Sequence, residues 1–113
     1  MVDDDVQTLR LMQELAESAG LQPVMFTRLA SARRALRDEV PAVMVVDDDL
    51  PDGLGADLAR EVHADPRMRH VPVLICTAAG SERRREIERH AAVIQKPFVL
   101  VELERVFSEA AGG

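Results

Sequence analysis

Two short clusters of aspartates are the part of this chain with the clearest capacity for chemistry. The clusters comprise Asp3, Asp4 and Asp5, and then Asp47, Asp48, Asp49 and Asp52. Carboxylates that are brought close together repel one another, so either their pKa values rise or a cation lies among them. Hard oxygen ligands of this kind suit Mg2+, which also accepts a phosphate oxygen. Aspartates near strand ends are otherwise common turn formers, so the clusters alone do not define a site.

A threonine and a lysine follow two apolar runs in the second half of the chain. Thr77 comes directly after the run 71–76, and Lys96 comes directly after the run 92–95. A hydroxyl and an ammonium group can together hold a phosphoryl group. If the fold places them beside the aspartates, the implied chemistry is phosphoryl transfer to a carboxylate. An aspartate would be the nucleophile, and a metal ion would neutralise the developing charge.

The composition is that of a single globular domain. The chain has 113 residues, of which 30% are charged and 47% apolar, and acidic residues outnumber basic ones by 20 to 14 for a net charge of -6. One core can be built at this length, and the acidic balance argues against nucleic acid as the main partner. No apolar run is long enough to span a bilayer and no signal segment opens the chain, so we expect a cytoplasmic protein without a membrane partner.

Short apolar runs alternate with amphipathic stretches along the chain. Helical spacing predicts helices over 6–19, 29–40, 54–64, 81–89 and 100–110, with Ser81 as the cap of the fourth. Apolar runs predict strands over 23–26, 42–46, 71–76 and 92–95, and a short first strand before the first aspartates. This alternation favours an α/β fold with helices on both faces of a parallel sheet. Because the carboxyl ends of parallel strands meet at one edge, both aspartate clusters, Thr77 and Lys96 are expected to form one site.

Four segments of the chain together form a specific pattern. They are 2–5 (VDDD), 45–55 (VVDDDLPDGLG), 72–78 (PVLICTA) and 96–98 (KPF). The pattern resembles the receiver domains of bacterial two-component response regulators. The resemblance implies a doubly wound, five-stranded parallel sheet of the flavodoxin-like order 2-1-3-4-5 with about five helices. It also implies that residues 1–113 form one receiver domain without an output domain.

The resemblance also implies which residue accepts the phosphoryl group. Asp47 is the expected phosphoacceptor, rather than Asp48 or Asp49, because Pro51 and Gly55 follow it at the spacing of the family.

The other expected roles are divided between the metal and the phosphoryl group. The implied cofactor is Mg2+, and its expected ligands are Asp3, Asp4, Asp47 and the backbone carbonyl of Asp49. The expected phosphoryl-binding residues are Thr77 and Lys96, supported by Ala78 and by Pro97, which is expected to follow a cis peptide bond. In such proteins the residues at Asp49 and Ala79 flank the attacking water.

The function that this resemblance implies is that of a stand-alone receiver. The protein would take a phosphoryl group from a histidine kinase or phosphotransfer protein and hydrolyse it slowly. It would signal through an unknown downstream protein, as a monomer or weak homodimer. It would catalyse its own phosphorylation and slow dephosphorylation. A metabolic enzyme is not expected, because the sequence shows no cofactor loop or substrate-specificity motif.

Departures from the pattern leave a second interpretation open. Val93 stands where receivers usually carry an aromatic switch residue, and Thr77 and Lys96 lie only 19 positions apart, so the fourth helix or its following loop is short. Met1 and Val2 alone precede the first acid pair, so we expect either a natural start upstream or a weakened first strand. The alternative function is a receiver-fold interaction module that acts without phosphorylation-driven switching.

The remaining chemistry-bearing residues have ordinary interpretations. Three histidines lack metal-ligand spacing and are expected at the surface; they are His63, His70 and His90. The single cysteine, Cys76, can form no internal disulfide and is expected to be an inert buried residue. One basic patch is either a solvated helix face or a partner surface; it comprises Arg83, Arg84, Arg85 and Arg89.

Overall fold

Five helices surround a parallel sheet in the computed structural model, which describes residues 1–96 and 100–112 and only the backbone of Leu100. The helices are α1 (Val6–Ser18), α2 (Leu29–Leu36), α3 (Gly55–Ala64), α4 (Ser81–Glu88) and α5 (Leu100–Ala110). The strands are β1 (Met44–Asp47), β2 (Asp49–Leu50), β3 (Gly53–Leu54), β4 (Val73–Thr77) and β5 (Ala92–Gln95). Within the described residues, no helix has the length and apolar content needed to cross a membrane.

The strand order of the parallel sheet is the predicted one. β1, β4 and β5 are neighbours in that order, with Asp47 opposite Cys76. On the other side of β1, Val2 forms a parallel bridge with Val46. On its far side, Val2 forms a second parallel bridge with Phe26. The order from Phe26 through Val2 to β1, β4 and β5 therefore corresponds to 2-1-3-4-5. The doubly wound fold class is confirmed, although the first two predicted strands are present as single-residue bridges.

Alternate residues of each strand bury themselves under opposite layers of helices. Val46 and Ile75 pack in a core cluster that also holds buried residues of α2, α3 and α4. Val45 and Leu74 pack in a second cluster with buried residues of α1 and α5. Because successive side chains of a strand point to opposite faces, the continuously apolar runs of β1 and β4 match a sheet that is covered on both sides.

Two aspartates near the site cap helices. Asp5 is the N-cap of α1, and its carboxylate accepts a hydrogen bond from the backbone N–H of Gln7 at 3.0 Å. Asp52 lies in the turn between β2 and β3 and accepts from the N–H groups of Leu29 and Ala30 at 2.8 and 2.9 Å. It thereby supplies the cap that α2 lacks locally. Backbone donors at helix starts therefore account for two of the clustered acids.

Three local predictions are wrong. Ser81 is the first residue of α4 rather than its cap, because the N-cap is Gly80, which offers no side chain. α2 ends at Leu36 instead of 40, because residues 37–40 are exposed and bury nothing that would support a further turn. The aspartate run and the turn residues 51–53 predict a loop from the sequence, but this segment contains the antiparallel pair of β2 and β3.

Gly55 allows the start of α3 to approach the end of β1 closely. A Cβ atom at this position would overlap the carbonyl oxygen of Asp47 and lie 2.9 Å from Cγ1 of Val46. The backbone N–H of Gly55 donates to the carbonyl of Asp48 at 3.0 Å, which ties the two elements together. The absence of a side chain at position 55 therefore sets the distance between α3 and the residue expected to accept the phosphoryl group.

We expect Gly55→Ala to lower the free energy of unfolding by about 1–3 kcal/mol, since the added methyl group forces the backbone of β1 and α3 apart. Urea denaturation followed by circular dichroism measures the change. Gly80→Ala is the control, because a Cβ there meets nothing within 4 Å. It should lose less than about 1 kcal/mol, the cost of a poorer N-cap. Equal losses at the two positions would contradict the packing argument.

Candidate functional site

Three carboxylates converge at the carboxyl edge of the sheet. One oxygen from each of Asp3, Asp4 and Asp47 lies within 4.8 Å of the others. Asp47 is the last residue of β1, and its N–H donates to the carbonyl of Val2 at 2.8 Å, which places the first aspartates beside it. Asp3 and Asp47 are 1% and 7% exposed, whereas Asp4 is exposed. The cluster therefore has a buried floor and one acid that faces solvent.

Lys96 lies among these carboxylates. Its Nζ atom is 3.1 Å from Oδ1 of Asp47 and 3.5 Å from Oδ2 of Asp3. Its backbone N–H donates to the carbonyl of Thr77 at 2.8 Å, directly after β5. One ammonium group thus contacts two carboxylates of a cluster of three, so formal negative charges outnumber the charge of Lys96.

Burial and charge act in opposite directions on the titration of the site. Burial raises the pKa of Asp47, and the hydrogen bond from Lys96 offsets this only in part, while the charges of Asp3 and Asp4 add to the rise. Burial by itself would lower the pKa of Lys96, but its hydrogen bond to Asp47 and the charges of Asp47 and Asp3 outweigh burial and raise it. The site therefore favours added positive charge beside an ionised Asp47.

Thr77 closes the edge at the end of β4. It is 4% exposed, and its Oγ1 accepts a hydrogen bond from the N–H of Ala79 at 3.0 Å. Ala78 follows it in the exposed loop, and Gln95 donates to the carbonyl of Ala79 at 3.3 Å. The loop between β4 and α4 is therefore tied both to Thr77 and to β5. The expected contribution of Pro97 lies outside the described residues.

The second aspartate cluster separates into different contacts. Asp48 is 5% exposed and forms an ion pair with Arg83 of α4, at 2.9 Å between Oδ2 and Nε. Asp49 begins β2 with an exposed side chain. The expected contact of its backbone carbonyl with a metal stays a prediction. From the sequence, Asp48 is only an alternative candidate to Asp47 for the phosphoacceptor, and Arg83 is only one member of a basic patch. The placement of both at the carboxyl edge was the signal that could have joined them.

The surroundings of Cys76 agree with its expected role, whereas the expected surface position of the three histidines holds fully only for His70. Cys76 is a free, buried cysteine, and burial raises the pKa of its thiol to about 12, so no reactive thiolate forms at neutral pH. His70 is exposed, whereas His63 and His90 are half-buried, and Nε2 of His63 lies 3.3 Å from the carbonyl oxygen of Val71. Among the described residues, the group of side chains that could hold a metal ion consists of Asp3, Asp4 and Asp47.

The doubly wound sheet and the acid, lysine and threonine at its carboxyl edge define a class of protein. The family model described as the response regulator receiver domain matches residues 1–107. The chain therefore belongs to the receiver domains of two-component response regulators. Receiver domains of this class act with histidine kinases or phosphotransfer proteins.

Individual relatives are similar along most of this chain. The transcriptional regulatory protein GltR of Pseudomonas aeruginosa is 32% identical over 87 residues, which are 77% of this chain and 36% of GltR. The chain thus spans about a third of that relative. The polar-differentiation response regulator DivK of Brucella anthropi is 27% identical over 101 residues, which are 87% of this chain and 82% of DivK.

A solved receiver domain has the same fold. It belongs to the sensor histidine kinase PA1611 of Pseudomonas aeruginosa and contains a magnesium ion coordinated in its active site cleft. Its TM-score with this chain is 0.83 at 23% identity, and the match covers 99% of this chain and 94% of that one.

We expect Asp47→Asn to be more stable than the wild type at pH 7 when measured in chelator. Asp47 holds its proton more tightly in the folded chain than in the unfolded one, because its pKa is raised above 3.8. This contribution to stability is fully present below pH 3.8 and is lost as the pH rises through the folded value. The advantage of the variant should therefore shrink as the pH falls toward 3.8, which urea unfolding at several pH values measures.

Asp52→Asn is the control with the opposite sign. Backbone hydrogen bonds from Ala30 and Leu29 lower the pKa of Asp52, so its ionised form contributes stability above pH 3.8 that is lost as the pH falls. This variant should be less stable than the wild type at pH 7. If Asp47→Asn had a lower free energy of unfolding than the wild type at pH 7, the prediction would be wrong, because the ionised carboxylate of Asp47 would then stabilise the fold.

Proposed function

We propose that this protein is a cytoplasmic receiver in which the carboxylate of Asp47 accepts a phosphoryl group from a histidine kinase or phosphotransfer protein. The observation that carries the proposal is the position of Asp47 between Lys96 and the carboxylates of Asp3 and Asp4. Asp48 is already paired with Arg83, and the side chain of Asp49 is exposed. Of the three consecutive aspartates, Asp47 alone therefore shares the cluster of acids with Lys96.

The transfer is a displacement at phosphorus. A carboxylate oxygen of Asp47 forms the new O–P bond, and the bond between phosphorus and the donor breaks with its electron pair leaving on the donor group. The nucleophile must be ionised, and Lys96 opposes the rise in the pKa of Asp47 that burial causes. After transfer, the ammonium group of Lys96 is placed to pair with a phosphoryl oxygen. Thr77 is proposed to bind another phosphoryl oxygen through its hydroxyl.

The residues present fit Mg2+. Three carboxylates face one lysine, and all of the acidic donors are hard oxygens, the ligands that this ion prefers. Asp3, Asp4 and Asp47 would hold the ion, with the backbone carbonyl of Asp49 as a further ligand. When bound, Mg2+ supplies positive charge that stabilises the charge developing on the transferred group. The exposure of Asp4 leaves the cluster open to solvent on that side.

The same groups support a slow return reaction. Hydrolysis of the acyl phosphate needs a water that attacks phosphorus, and the proposed neighbours of that water are Asp49 and Ala79.

We further propose that residues 1–113 act as one receiver unit, that it works as a monomer or weak homodimer, and that it signals by contact with a downstream protein. Position 93 is a valine, so it has no aromatic ring that could switch. This valine is half-buried and packs against the core cluster that contains Val46 and Ile75.

We expect acetyl phosphate in Mg2+ to add one phosphate to the wild type, and Asp47→Asn to take up none, because the nucleophilic oxygen is lost. Intact-mass spectrometry measures the addition. Addition of EDTA should abolish labelling of the wild type.

Asp49→Asn is the matched control, since it removes a neighbouring carboxylate whose side chain is exposed. It should still be labelled. Equal labelling of Asp47→Asn and the wild type would refute the choice of Asp47. An unlabelled wild type would favour the interaction module that acts without phosphorylation.

We expect Mg2+ to stabilise the wild type by about 1.4 kcal/mol at about ten times its dissociation constant, as a ligand of the folded state does. Asp4→Asn should bind Mg2+ about tenfold more weakly or worse, because a charged oxygen ligand is lost. Urea unfolding across a Mg2+ titration measures both quantities.

Asp5→Asn is the control for the Mg2+ titration. Its carboxylate caps α1 and lies outside the cluster of three acids. It should keep the full increment from Mg2+, because asparagine also caps helices. A wild type without any increment would contradict the metal site, as would an unchanged increment in Asp4→Asn.

A further inference from the structure

A partly buried ion pair joins α4 to the carboxyl edge beside Asp47. The guanidinium of Arg83 donates to both oxygens of Asp48, at 2.9 Å from Nε to Oδ2 and 3.0 Å from Nη2 to Oδ1. The side chain of Asp48 is 7% exposed and that of Arg83 is 25% exposed. This two-bond geometry is the strongest form of a carboxylate and arginine contact, and it is selective for arginine over lysine.

Asp48 is also fixed from two other sides. Its Oδ1 accepts a hydrogen bond from the N–H of Ala56 at the start of α3, at 3.2 Å. Its backbone N–H donates to the carbonyl of Cys76 in β4 at 2.9 Å. Asp48 therefore holds the end of β1, the start of α3 and β4 in one arrangement, and Arg83 adds α4 to it.

α4 has few other anchors. Ile87 is its one buried residue, and its N-cap, Gly80, provides no side-chain hydrogen bond. Two further ion pairs, Arg84 with Glu88 and Arg83 with Glu86, lie within the helix and do not attach it to the rest of the protein. Among the described contacts, the position of the helix thus depends on Ile87 and on the pair between Arg83 and Asp48.

We propose that Asp48 and Arg83 are a positioning pair that anchors α4 beside the phosphoacceptor and transmits phosphorylation of Asp47 to α4. The second half of this proposal rests on the proposed function. A phosphoryl group adds negative charge and strong acceptor oxygens to Asp47, the residue that directly precedes Asp48 in the chain. The side chain of Arg83 is 25% exposed, and in the proposed step its guanidinium turns toward these oxygens. The phosphoryl group then competes with Asp48 for the guanidinium, and α4 is released from its anchor.

The test is hydrogen exchange of the backbone amides of α4, measured by mass spectrometry on the full chain. In the unphosphorylated protein, Arg83→Ala and Asp48→Asn should each speed exchange in α4 by about tenfold or more, because the charge-assisted hydrogen bonds of the anchor are lost. Exchange in α5 provides the internal reference. Combining the two substitutions should add little to either one, since both remove the same contact.

Arg84→Ala is the matched control. Like Arg83→Ala, it replaces an arginine of α4 with alanine and breaks an ion pair. The pair that it breaks, between Arg84 and Glu88, is exposed and lies within α4. Its exchange in α4 should stay within about threefold of the wild type, since exposed pairs contribute little. Exchange in Arg83→Ala and Asp48→Asn that is no faster than in Arg84→Ala would overturn the anchor.

The second arm compares each protein before and after treatment with acetyl phosphate and Mg2+. Phosphorylation of the wild type should speed exchange in α4, and this response should be absent from Arg83→Ala because its helix is already released. An unchanged or slower exchange in the phosphorylated wild type would overturn the transmission, as would an equal response in Arg83→Ala. Failure of the wild type to gain a phosphate by intact mass would refute the proposed function separately, while the first arm still decides the anchor.

Discussion

The crowding of like charges at one edge of the sheet is the constraint on which the rest of the structure depends. Asp3, Asp4 and Asp47 bring three carboxylate oxygens within 4.8 Å of one another, and two of these residues are buried. Lys96 offsets part of the repulsion, at 3.1 Å from Asp47. The fold holds this arrangement at a cost in stability, and the remaining negative charge is what the proposed binding of a cation would use. The raised pKa of Asp47 is the mark of that cost.

Backbone contacts hold the charged groups in place. The N–H of Asp47 is bonded to Val2, and the N–H of Lys96 is bonded to Thr77 across the neighbouring strands. Gly55 lets α3 approach the carbonyl of Asp47 so closely that no side chain fits between them. Such contacts cannot adjust as flexible side chains do. The crowded carboxylates are therefore held on a rigid frame, which suits a site where small displacements alter the chemistry.

The face of the molecule that carries α4 is organised differently from the site. The family pattern would place an aromatic ring at position 93, where this chain has a half-buried valine. α4 buries only Ile87 and is otherwise polar. Its contact with the site passes through Arg83 and the buried carboxylate of Asp48. A helix held by one apolar residue and one ion pair is easier to displace than one with a wide apolar face, so α4 is the element best suited to change position when the charge of the site changes.

The sequence by itself determined the fold class and the position of the acids, Thr77 and Lys96 at the carboxyl edge of the sheet. Hydrophobic periodicity depends on local spacing, and the carboxyl ends of parallel strands meet at one edge whatever the side chains are. Only the tertiary structure decided how neighbouring aspartates divide their work. Asp5 and Asp52 cap helices, and Asp48 pairs with Arg83, whereas Asp47 faces Lys96. Adjacent residues at a strand end point in different directions, and their partners lie as far away along the chain as Lys96 does from Asp47. Local sequence therefore could not specify these contacts, because each depends on which distant backbone donor or cation the fold brings within reach.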